Sequence, residues 1–561
     1  MSEPFNRPDM VISIDFGMTC TGVAYCNVST GNDRIFHIQR WPGRTMANEN
    51  KVPTLLVYPK GSTTPTSWGF LAETAQEQGN PGDESKEWFK ILLDEELLEQ
   101  MRTNAPDPSK VPAMEEVEKW YCDYFQFLYR CIEARLKGEL ASRWEDAKIE
   151  FIFSVPTTWK PVPTVERFRN ITARAGFGAS PNHISSIGLT EAEAAAVHTA
   201  RDQPAIFQEN DILFVCDVGG GTTDLSAFRV KNTNSFGGAL SLEQIDVVFG
   251  ATVGAAQLDG LFENAMVARL QAADRVIPMG LDDIGLAAWD IRISSEYQNV
   301  KCDYGSEDSR MDTEIVRLRV PKLDRNYSNP QCGIDRGELL LRRDDLKPFF
   351  DAQVGKLFEM LDKQLVRLQQ RFPNEQAAHM VLSGGLGNSA YVRDCLVNRY
   401  ANGNAPHPNA RNLQIRVSPD PQLVVCRGNV ADRVAKLKSG QSILGWRCSR
   451  SSYGTLCKIQ YDPQNTAHFN MKTELDPMDG KLYIVNSIDW FIKQGQPVSS
   501  DSPIVRNFRR KCPPASPYNP NPPRVFPTDI VCSDVDANLL PMVMDSSTFP
   551  TYSLLLVSSI Y

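Results

Sequence analysis

The pattern of apolar and polar positions predicts a strand, a tight turn and a returning strand at two places in the chain. The first reads VISIDFGMTCTGVAY over residues 11–25, and the second reads LFVCDVGGGTTDLSAF over residues 213–228. In each, an apolar run ends at an aspartate, a turn containing glycine follows, and threonine precedes a second apolar run. Apolar runs bounded by such turns are typical of β-hairpins. The repetition predicts that the fold contains the same unit twice.

Between and after these phrases, strand patterns alternate with helical patterns. Strands are predicted at residues 51–61, 148–159, 377–392 and 413–417, and helices at 113–136, 165–175, 191–200, 256–272, 283–300, 344–370 and 421–437. Alternating strands and helices, repeated in two halves, indicate a duplicated α/β architecture. The aromatic side chains of the helix at 113–136, which include Trp120, Phe125 and Phe127, are expected to pack in a core rather than hold a cofactor.

The character of the chain changes after residue 440. Short apolar runs such as KLYIVNSI and YSLLLVSSIY are separated by turn residues, without a long amphipathic helix. We therefore predict three regions, at residues 10–205, 206–440 and 441–561, of which the last is a small β-rich domain without a helical lid. Its segment CPPASPYNPNPPRVFP, at 512–527, has seven prolines and is expected to form an exposed loop. A ligand for a proline-reading module is the alternative.

The composition argues against nucleic-acid binding, membrane association and secretion. The net charge of −9 offers no overall basic field for nucleic acid or an anionic membrane. No stretch reaches the length of about 20 apolar residues that spans a bilayer, and the polar start MSEPFNRPDM does not resemble a signal peptide. The thirteen cysteines form no CxxC pair, and Cys20, Cys26, Cys216, Cys395 and Cys426 are expected to be buried thiols. We expect a monomer in the reducing cytoplasm.

The two turn phrases carry the chemistry of phosphate binding. Glycines let backbone N–H groups approach a phosphate, and threonine hydroxyls add further donors. An aspartate at a strand end can hold Mg²⁺ through the water molecules of its hydration shell. The first phrase supplies Asp15, Gly17 and Thr19, and the second supplies Asp217, Gly219–Gly221 and Thr222. Two such hairpins, one from each half, could grip a triphosphate from opposite sides.

Simple strand connections are the alternative explanation for these glycines. That explanation suits the first turn better than the second, because three consecutive glycines cost backbone entropy and their flanking carboxylates repel each other without a cation. The phosphate-binding loops GxxxxGK[ST] and GxGxxG are both absent. The six histidines show no metal-ligand spacing. The prediction of a nucleotide site therefore rests on the pair of hairpins.

The two phrases, together with SGGLGN at 383–388, resemble the phosphate-1, phosphate-2 and adenosine motifs of the actin/hexokinase/heat shock protein 70 superfamily. DVGGGTTDLS is most similar to the DnaK-type heat shock protein 70 branch. FSVPTTWKPVPTVERFRNITARAGF (153–177), LTEAEAAAVHTA (189–200) and SPDPQLVVCRGNV (418–430) resemble further family segments, in the family's order. The wide insertions between these motifs are more similar to those of the divergent heat shock 70 kDa protein 12 subfamily than to the mainstream chaperones. The resemblance implies a duplicated, actin-like (ribonuclease H-like) ATPase fold with two lobes around a nucleotide cleft.

The resemblance also implies residue roles for ATP or ADP with Mg²⁺. Asp15, Glu191 and Asp217 would hold the hydrated Mg²⁺ and the attacking water, and Asp224 would orient or deprotonate that water. Thr19, Gly219, Gly220, Gly221 and Thr222 would cradle the β- and γ-phosphates, and Gly384, Gly385 and Asn388 would border the adenosine. Glu296 and Lys301 are implied as adenine contacts, and further residues implied at the nucleotide are Gly17, Met18, Cys20, Gly254 and Asp420. For Glu296 and Lys301, a surface salt bridge is the alternative.

Several positions depart from the family pattern. Met18 stands where the family has a threonine, and Asn388 where mainstream members have an arginine. Lys90, in EWFKILLD, is the candidate for the family's catalytic lysine, with a solvated helix lysine as the alternative. ADRVAKLKSGQ (431–441) replaces the family's apolar linker. The resemblance therefore does not extend to the linker that couples ATP to a peptide site in the family.

Four functions remain open at this stage. The first is a slow ATPase of the heat shock protein 70 type, whose nucleotide state controls lobe closure and the binding of unfolded peptides, client proteins or co-chaperones. The second is a nucleotide-binding scaffold or sensor with little or no turnover. A sugar kinase of the same superfamily is a third, less favoured because no acceptor pocket is apparent. Actin-like polymerisation is the fourth and weakest.

Overall fold

The first half of the protein, which is described from a computed structural model, contains a mixed β-sheet with five strands side by side. The structure describes residues 7–560 except 81, 106, 160–162, 233–239, 308–313, 402, 404, 478, 500, 501, 503, 509–524 and 545–551. The first sheet runs, in spatial order, through Phe36–His37, Cys20–Asn27, Met10–Phe16, Ile149–Val155 and His183–Thr190, with Val52–Pro53 beside Cys20–Asn27. Met10–Phe16 pairs antiparallel with its hairpin partner and parallel with Ile149–Val155.

The second sheet lies mostly in the second half of the chain and, like the first, joins a hairpin to parallel strands. Its strands, in spatial order, are Gln414–Val417, Ala377–Ser383, Ile212–Val218, Thr223–Asn232, Leu240–Gln244, Leu444–Cys448 and Pro497–Ser499, with Phe249–Ala251 beside Thr223–Asn232. Ile212–Val218 is antiparallel to its hairpin partner and parallel to Ala377–Ser383. The chain therefore has a mixed α/β fold, as predicted. We call residues 10–205 and 206–440 the first and second halves.

Helices cover much of the rest of both halves. Their bounds are Gly69–Gln78, Glu95–Asn104, Met114–Leu136, Pro163–Arg174, Glu191–Asp202, Ala255–Val276, Ile284–Ile293, Ser295–Asp303, Lys347–Arg371, Ala390–Tyr400 and Val424–Ser439. Two predictions were wrong. The helix expected at 283–300 is broken at Ser294, whose side chain accepts a hydrogen bond from the Tyr297 N–H and starts a new helix. The strand expected at 377–392 ends at Ser383, because Gly384 turns the chain at φ 81°.

The cores of the halves differ in chemistry. The first half packs aromatic rings: Phe16 contacts Tyr121, Tyr124 and Phe125 with ring centroids 4.8–5.7 Å apart. Trp120 and Phe127 pack against the same core, so the predicted packing role of this helix's aromatics is confirmed. The second half is mostly aliphatic, built on Leu357, Leu361 and Leu365 of its longest helix.

The helices Glu191–Asp202 and Val424–Ser439 lie against each other where the halves meet. They approach so closely at Gly428 that a Cβ there would lie 1.9 Å from the carbonyl oxygen of Ala194. The small residues of EAEAAAVHTA make this contact possible. One helix begins next to Glu191, so the contact helps to fix that carboxylate.

The C-terminal region forms a third, antiparallel sheet. Its strands, in spatial order, are Thr473–Leu475, Leu482–Ile492, Ser452–Gln460, Val525–Ser533 and Tyr552–Ile560. Leu444–Cys448 and Pro497–Ser499 belong instead to the second sheet, so strand pairing crosses the predicted boundary at residue 440. Most of the proline-rich segment, 512–524, lies outside the described residues.

Two smaller sheets complete the strand inventory. One comprises Ile315–Arg319, Glu338–Arg342 and Ile334–Asp335, and the other comprises Ser67–Trp68, Leu55–Tyr58 and Glu84–Glu87. Within the described part of the chain, no helix combines the length and the apolar composition needed to cross a bilayer. Every described cysteine is a free thiol. Cys20 and Cys395 are only half-buried, contrary to prediction; Cys20 follows the first turn and lines a cavity.

Candidate functional site: a cleft between two glycine turns

A cavity of about 300 Å³ lies between the two turns that the sequence singled out. Both turns line it, together with residues from the start of one helix and from the segment after Ala377–Ser383. The predicted site residues in its lining are Asp15, Gly17, Met18, Thr19, Cys20, Lys90, Glu191, Asp217, Gly219, Gly220, Gly221, Thr222, Gly384 and Gly385. Residues from both halves of the chain therefore converge on one cleft.

The two turns touch each other across this cleft. A Cβ at Gly220 would lie 2.7 Å from Thr19 Oγ1, and one at Gly221 would lie 1.8 Å from Met18 Sδ. No side chain larger than hydrogen fits at these positions while the turns keep this spacing. Gly254 packs behind the second turn, where its Cβ would lie 2.6 Å from the Gly220 carbonyl oxygen. The glycines thus hold the two hairpins at close range.

Three buried carboxylates, Asp15, Glu191 and Asp217, line the cleft, and a fourth, Asp224, is buried outside the cavity lining. Two of them have a lysine partner. Lys51 Nζ lies 2.6 Å from Asp15 Oδ2, and Lys90 Nζ lies 2.6 Å from Glu191 Oε1. The site therefore holds two of its negative charges as ion pairs inside the protein.

In the part of the chain that the structure describes, Asp217 forms no ion pair with a lysine or an arginine. It accepts a hydrogen bond of 2.8 Å from the Ser383 hydroxyl. Burial and the nearby Glu191 carboxylate raise its pKa to about 7. A carboxyl group that resists ionisation in this way is stabilised as the anion when a cation arrives.

Asp224 is held from the first half of the chain. It is buried, and the Thr157 side chain and backbone both donate to it, the backbone N–H over 3.2 Å to Oδ2. Burial and the Glu191 carboxylate raise the pKa of Asp224 above its ordinary value. Such a carboxylate can accept a proton from a water molecule near neutral pH.

Lys90 is not a solvated helix lysine, the alternative that the sequence left open. Only 4 % of its side chain is exposed. It lies in the short 3₁₀ helix Phe89–Leu93, and the Tyr121 hydroxyl donates a hydrogen bond of 2.5 Å to the Lys90 carbonyl oxygen. These contacts aim the ammonium group at Glu191 and into the cleft lining.

Of the residues expected at the adenosine or elsewhere at the nucleotide, some line the cavity and others do not. Gly384 and Gly385 line the cavity, whereas Asn388 is exposed, and its N–H donates to the Gly384 carbonyl oxygen over 3.1 Å. Asp420 lies outside the lining and pairs with Arg427 over 2.5 Å. Its neighbours Pro421 and Gln422 line the cavity in its place.

Glu296 and Lys301 also lie outside the cavity lining. Lys301 Nζ is 2.9 Å from both carboxylate oxygens of Asp259. The Glu296 carboxylate accepts a hydrogen bond of 3.3 Å from Ser295. Lys301 therefore forms a salt bridge, but with the buried carboxylate of Asp259 and not at the surface, where the alternative had placed it.

Sequence reasoning missed three side chains that hold the site: Lys51, Thr157 and Ser383. Lys51 stands 36 positions from Asp15 in the chain, and no motif marks it. Its only sequence signal is its place directly before Val52–Pro53, which pairs with Cys20–Asn27 of the first hairpin. Thr157 and Ser383 lie inside segments that were recognised, VPTTW and SGGLGN, but their partners could not be read from spacing.

A magnesium–nucleotide complex fits the chemistry of this cleft. The turns offer backbone N–H groups and two threonine hydroxyls, and the raised pKa of Asp217 marks a place where a cation relieves repulsion. Within the described residues, no group of three or more His, Cys, Asp or Glu side chains is arranged to hold a metal ion directly. Contact through water, which Mg²⁺ favours, suits this arrangement.

Comparison with known proteins supports a distant relationship. The chain is 26% identical over 199 residues to heat shock 70 kDa protein 12A from Homo sapiens, and 27% identical over 199 residues to its counterpart from Mus musculus. Each match covers 34% of this chain and 28% of the relative, so the chain matches well under a third of the relatives' length. Residues 447–551 match a family described as a domain of unknown function (DUF8568). These matches support the predicted relationship to heat shock protein 70-like proteins as a distant one.

Proposed function

We propose that the protein binds ATP with Mg²⁺ in the cleft between two actin-like lobes and hydrolyses it slowly. The observation that carries the proposal is the convergence of the two glycine turns, from opposite halves of the chain, on one cavity lined by carboxylates and two lysines. The matching strand order of the two sheets supports a duplicated fold. The distant similarity to heat shock 70 kDa protein 12A supports a nucleotide as the ligand.

The residues divide into groups with separate tasks. Thr19, Thr222 and the N–H groups of Gly220 and Gly221 would donate hydrogen bonds to phosphate oxygens, whereas the Gly219 N–H donates to the Thr222 carbonyl oxygen over 2.9 Å and closes the turn. Asp15, Glu191 and Asp217 would hold hydrated Mg²⁺, which when bound offsets phosphate charge. Phosphoryl transfer depends mostly on positioning and charge stabilisation, so a small set of groups is sufficient.

Asp224 is the base in this proposal. Thr157 fixes its orientation, and burial raises its pKa toward the range in which a carboxylate can take a proton at neutral pH. Lys90 brings a positive charge beside Glu191, where phosphate charge would develop. Lys51 offsets the negative charge of Asp15 at the turn.

We further propose that the nucleotide state influences the C-terminal region and the partners it binds. Arg450 Nη2 donates to the carbonyl oxygens of Thr157 and Trp159, each over 2.6 Å. Thr157 is the residue that holds Asp224, so one short chain of hydrogen bonds joins the C-terminal region to the cleft. Arg447 pairs with Glu193, two residues beyond Glu191. A change in the cleft therefore has a direct physical route to this region.

A nucleotide-binding scaffold without turnover is the second candidate, and Met18 favours it. Its side chain is buried against Gly221, where a threonine would have offered a hydroxyl to the phosphates. The loss of one such donor lowers transition-state stabilisation by about 3 kcal/mol in well-studied sites. Binding can persist when turnover does not.

Calorimetric binding of ATP with Mg²⁺, together with single-turnover hydrolysis, separates the two candidates. We would compare the wild type with Asp217→Ala and Thr222→Val. Binding with slow hydrolysis, both weakened by the substitutions, is the expected result. Binding without hydrolysis would favour the scaffold, and a wild type that binds no nucleotide would contradict both.

A further inference from the structure

A second contact joins the two halves of the protein away from the cavity lining, and Arg292 is at its centre. Arg292 lies in the helix Ile284–Ile293 of the second half, yet its guanidinium reaches Glu87 of the first half. Only 3 % of the arginine side chain is exposed. A buried cation that crosses between two halves of a chain constrains how those halves sit, because losing either partner leaves a charge uncompensated.

Further polar contacts fix the guanidinium. Arg292 Nε donates to Glu263 over 2.7 Å, within the second half. Trp289 Nε1 donates to Glu87 over 3.1 Å, so Glu87 receives two donors from the same helix. The guanidinium is therefore shared between the halves: its Nε binds Glu263 of the second half, and its Nη2 binds Glu87 of the first half.

The guanidinium also lies over an aromatic ring of the first half. Its Cζ is 4.3 Å from the ring centroid of Trp88, within the range of cation–π attraction. Trp88 has φ 58°, a left-handed backbone conformation that is unfavourable for a bulky residue. Such a conformation persists where the surroundings over-determine it, and the contacts of Arg292 with Glu87 and Trp88 supply that restraint.

The restrained residues lead directly to the candidate catalytic lysine. The strand Glu84–Glu87 ends at Glu87, Trp88 turns the chain, and the 3₁₀ helix Phe89–Leu93 follows with Lys90 as its second residue. The direction of that helix, and hence of the Lys90 side chain, is set by the backbone turn at Trp88. Lys90 then meets Glu191 over 2.6 Å.

We propose that Arg292 is a positioning residue, which holds the turn at Glu87–Trp88 from the second half and thereby keeps Lys90 beside Glu191. Lys90 is then correctly placed only while the two halves are in contact at Arg292. The placement of a catalytic group thus depends on closure of the halves. The inference rests on the proposed function for the role of Lys90 in hydrolysis, but the coupling between Arg292 and Lys90 is a property of the structure alone.

The test follows Lys90 itself. The full-length chain is treated with an amine-modifying reagent under native conditions, and the rate of modification at Lys90 is followed by mass spectrometry without nucleotide. Arg292→Met should raise that rate by about tenfold, as expected when a local restraint is lost. Glu87→Gln should do the same from the other side, and the double variant should add little to either. Arg292→Lys, which keeps the charge but not the guanidinium, should give an intermediate rate.

A matched control separates this effect from general loosening. Arg269 is a half-buried arginine of the second half whose hydrogen bonds all go to carbonyl oxygens of that half, on Cys332, Gly333 and Leu340. Arg269→Met should leave Lys90 modification unchanged. In turnover assays, Arg292→Met should lower kcat for ATP with little change in KM, because it displaces a group that acts on developing charge.

The outcomes keep the two proposals apart. An unchanged rate of Lys90 modification in both Arg292→Met and Glu87→Gln would overturn the positioning role, whether or not the wild type hydrolyses ATP. An equal rise in Arg269→Met would overturn it as well. If Lys90 modification became faster only in the Arg292 and Glu87 variants, and the wild type hydrolysed no ATP, the positioning of Lys90 by Arg292 would be supported and the proposed ATPase activity would be rejected.

Discussion

The two turns at the cleft have the same backbone plan but compensate their charge differently. In the first, Asp15 has Lys51 at 2.6 Å, a cation supplied by the protein. In the second, Asp217 accepts a hydrogen bond of 2.8 Å from the Ser383 hydroxyl and forms no ion pair among the described residues, and burial together with the Glu191 carboxylate raises its pKa to about 7. A repeated motif therefore does not imply a repeated role. The first turn is balanced by the protein, and the second gains most when a cation is bound.

The largest expected effect comes from removing the other internal cation, Lys90. Lys90→Met would leave Glu191 buried without its ion-pair partner, which costs about 3–5 kcal/mol of folding stability. We also expect ATP turnover to fall by about 10²–10³-fold. Thermal unfolding and single-turnover hydrolysis measure the two effects.

The matched control is Lys347→Met, which removes an exposed lysine that pairs with Asp351 one helical turn away. Its effect on either measurement should be small, because exposed pairs of this kind contribute little. Equal behaviour of the two variants would show that Lys90 has no special place at the cleft.

The next effect tests whether the second turn must keep its position. Gly254→Ala places a Cβ 2.6 Å from the Gly220 carbonyl oxygen, a backbone atom that can retreat only if the turn moves. We expect ATP affinity to fall by about tenfold, or about 1.4 kcal/mol. Gly260→Ala, six residues later in the chain and with open space around its Cβ, is the control and should bind normally. If both variants bound ATP with normal affinity, the position of the second turn would not matter for ATP binding, which would contradict this prediction.

A pH-dependent stability test addresses the uncompensated charge of Asp217. In the folded protein its pKa is about 7, against an ordinary value of 3.8. Ionisation of the folded protein is therefore penalised, and the stability present at low pH is lost as pH rises between these two values. Asp217→Asn cannot ionise, so without nucleotide it should melt above the wild type at pH 8 and close to it near pH 4. A difference in melting temperature that shrinks as pH rises would reverse the sign and refute the burial argument.

The smallest effect concerns the position at which the first turn departs from the family pattern. Met18→Thr restores a hydroxyl beside Gly221, and one additional hydrogen bond is worth about 1 kcal/mol. We expect ATP to bind up to about fivefold more tightly. The control is Met18→Val, because valine has nearly the shape of threonine but no hydroxyl. An equal gain in both would assign the effect to space rather than to the donor.

The sequence predicted the elements that have local signals. The hairpins, most helices and the residues of the two turns followed from apolar periodicity, glycine turns and family resemblance, because those signals lie within short segments. The break at Ser294 had a local signal as well, since serine commonly starts helices. It was missed because apolar periodicity continues across it.

Contacts between distant segments could not be predicted. Nothing near Lys51 indicates Asp15 as its partner, and nothing in LGWRC shows that Leu444–Cys448 joins the second sheet rather than the third. Asp420 was expected at the nucleotide because of its motif, whereas Arg427, seven residues later, pairs with it. Each of these outcomes depends on which segments the fold brings together, and a single sequence does not record that.

The central claim is that both turns hold one phosphate chain. Calorimetry of ATP with Mg²⁺ on the wild type, Thr19→Val, Thr222→Val and the double variant tests it most directly, with adenosine as the ligand that lacks phosphates. We predict that each substitution weakens ATP binding by about fivefold, or about 1 kcal/mol, and leaves adenosine binding unchanged. ATP affinity that is equal in the wild type and the double variant would contradict the account.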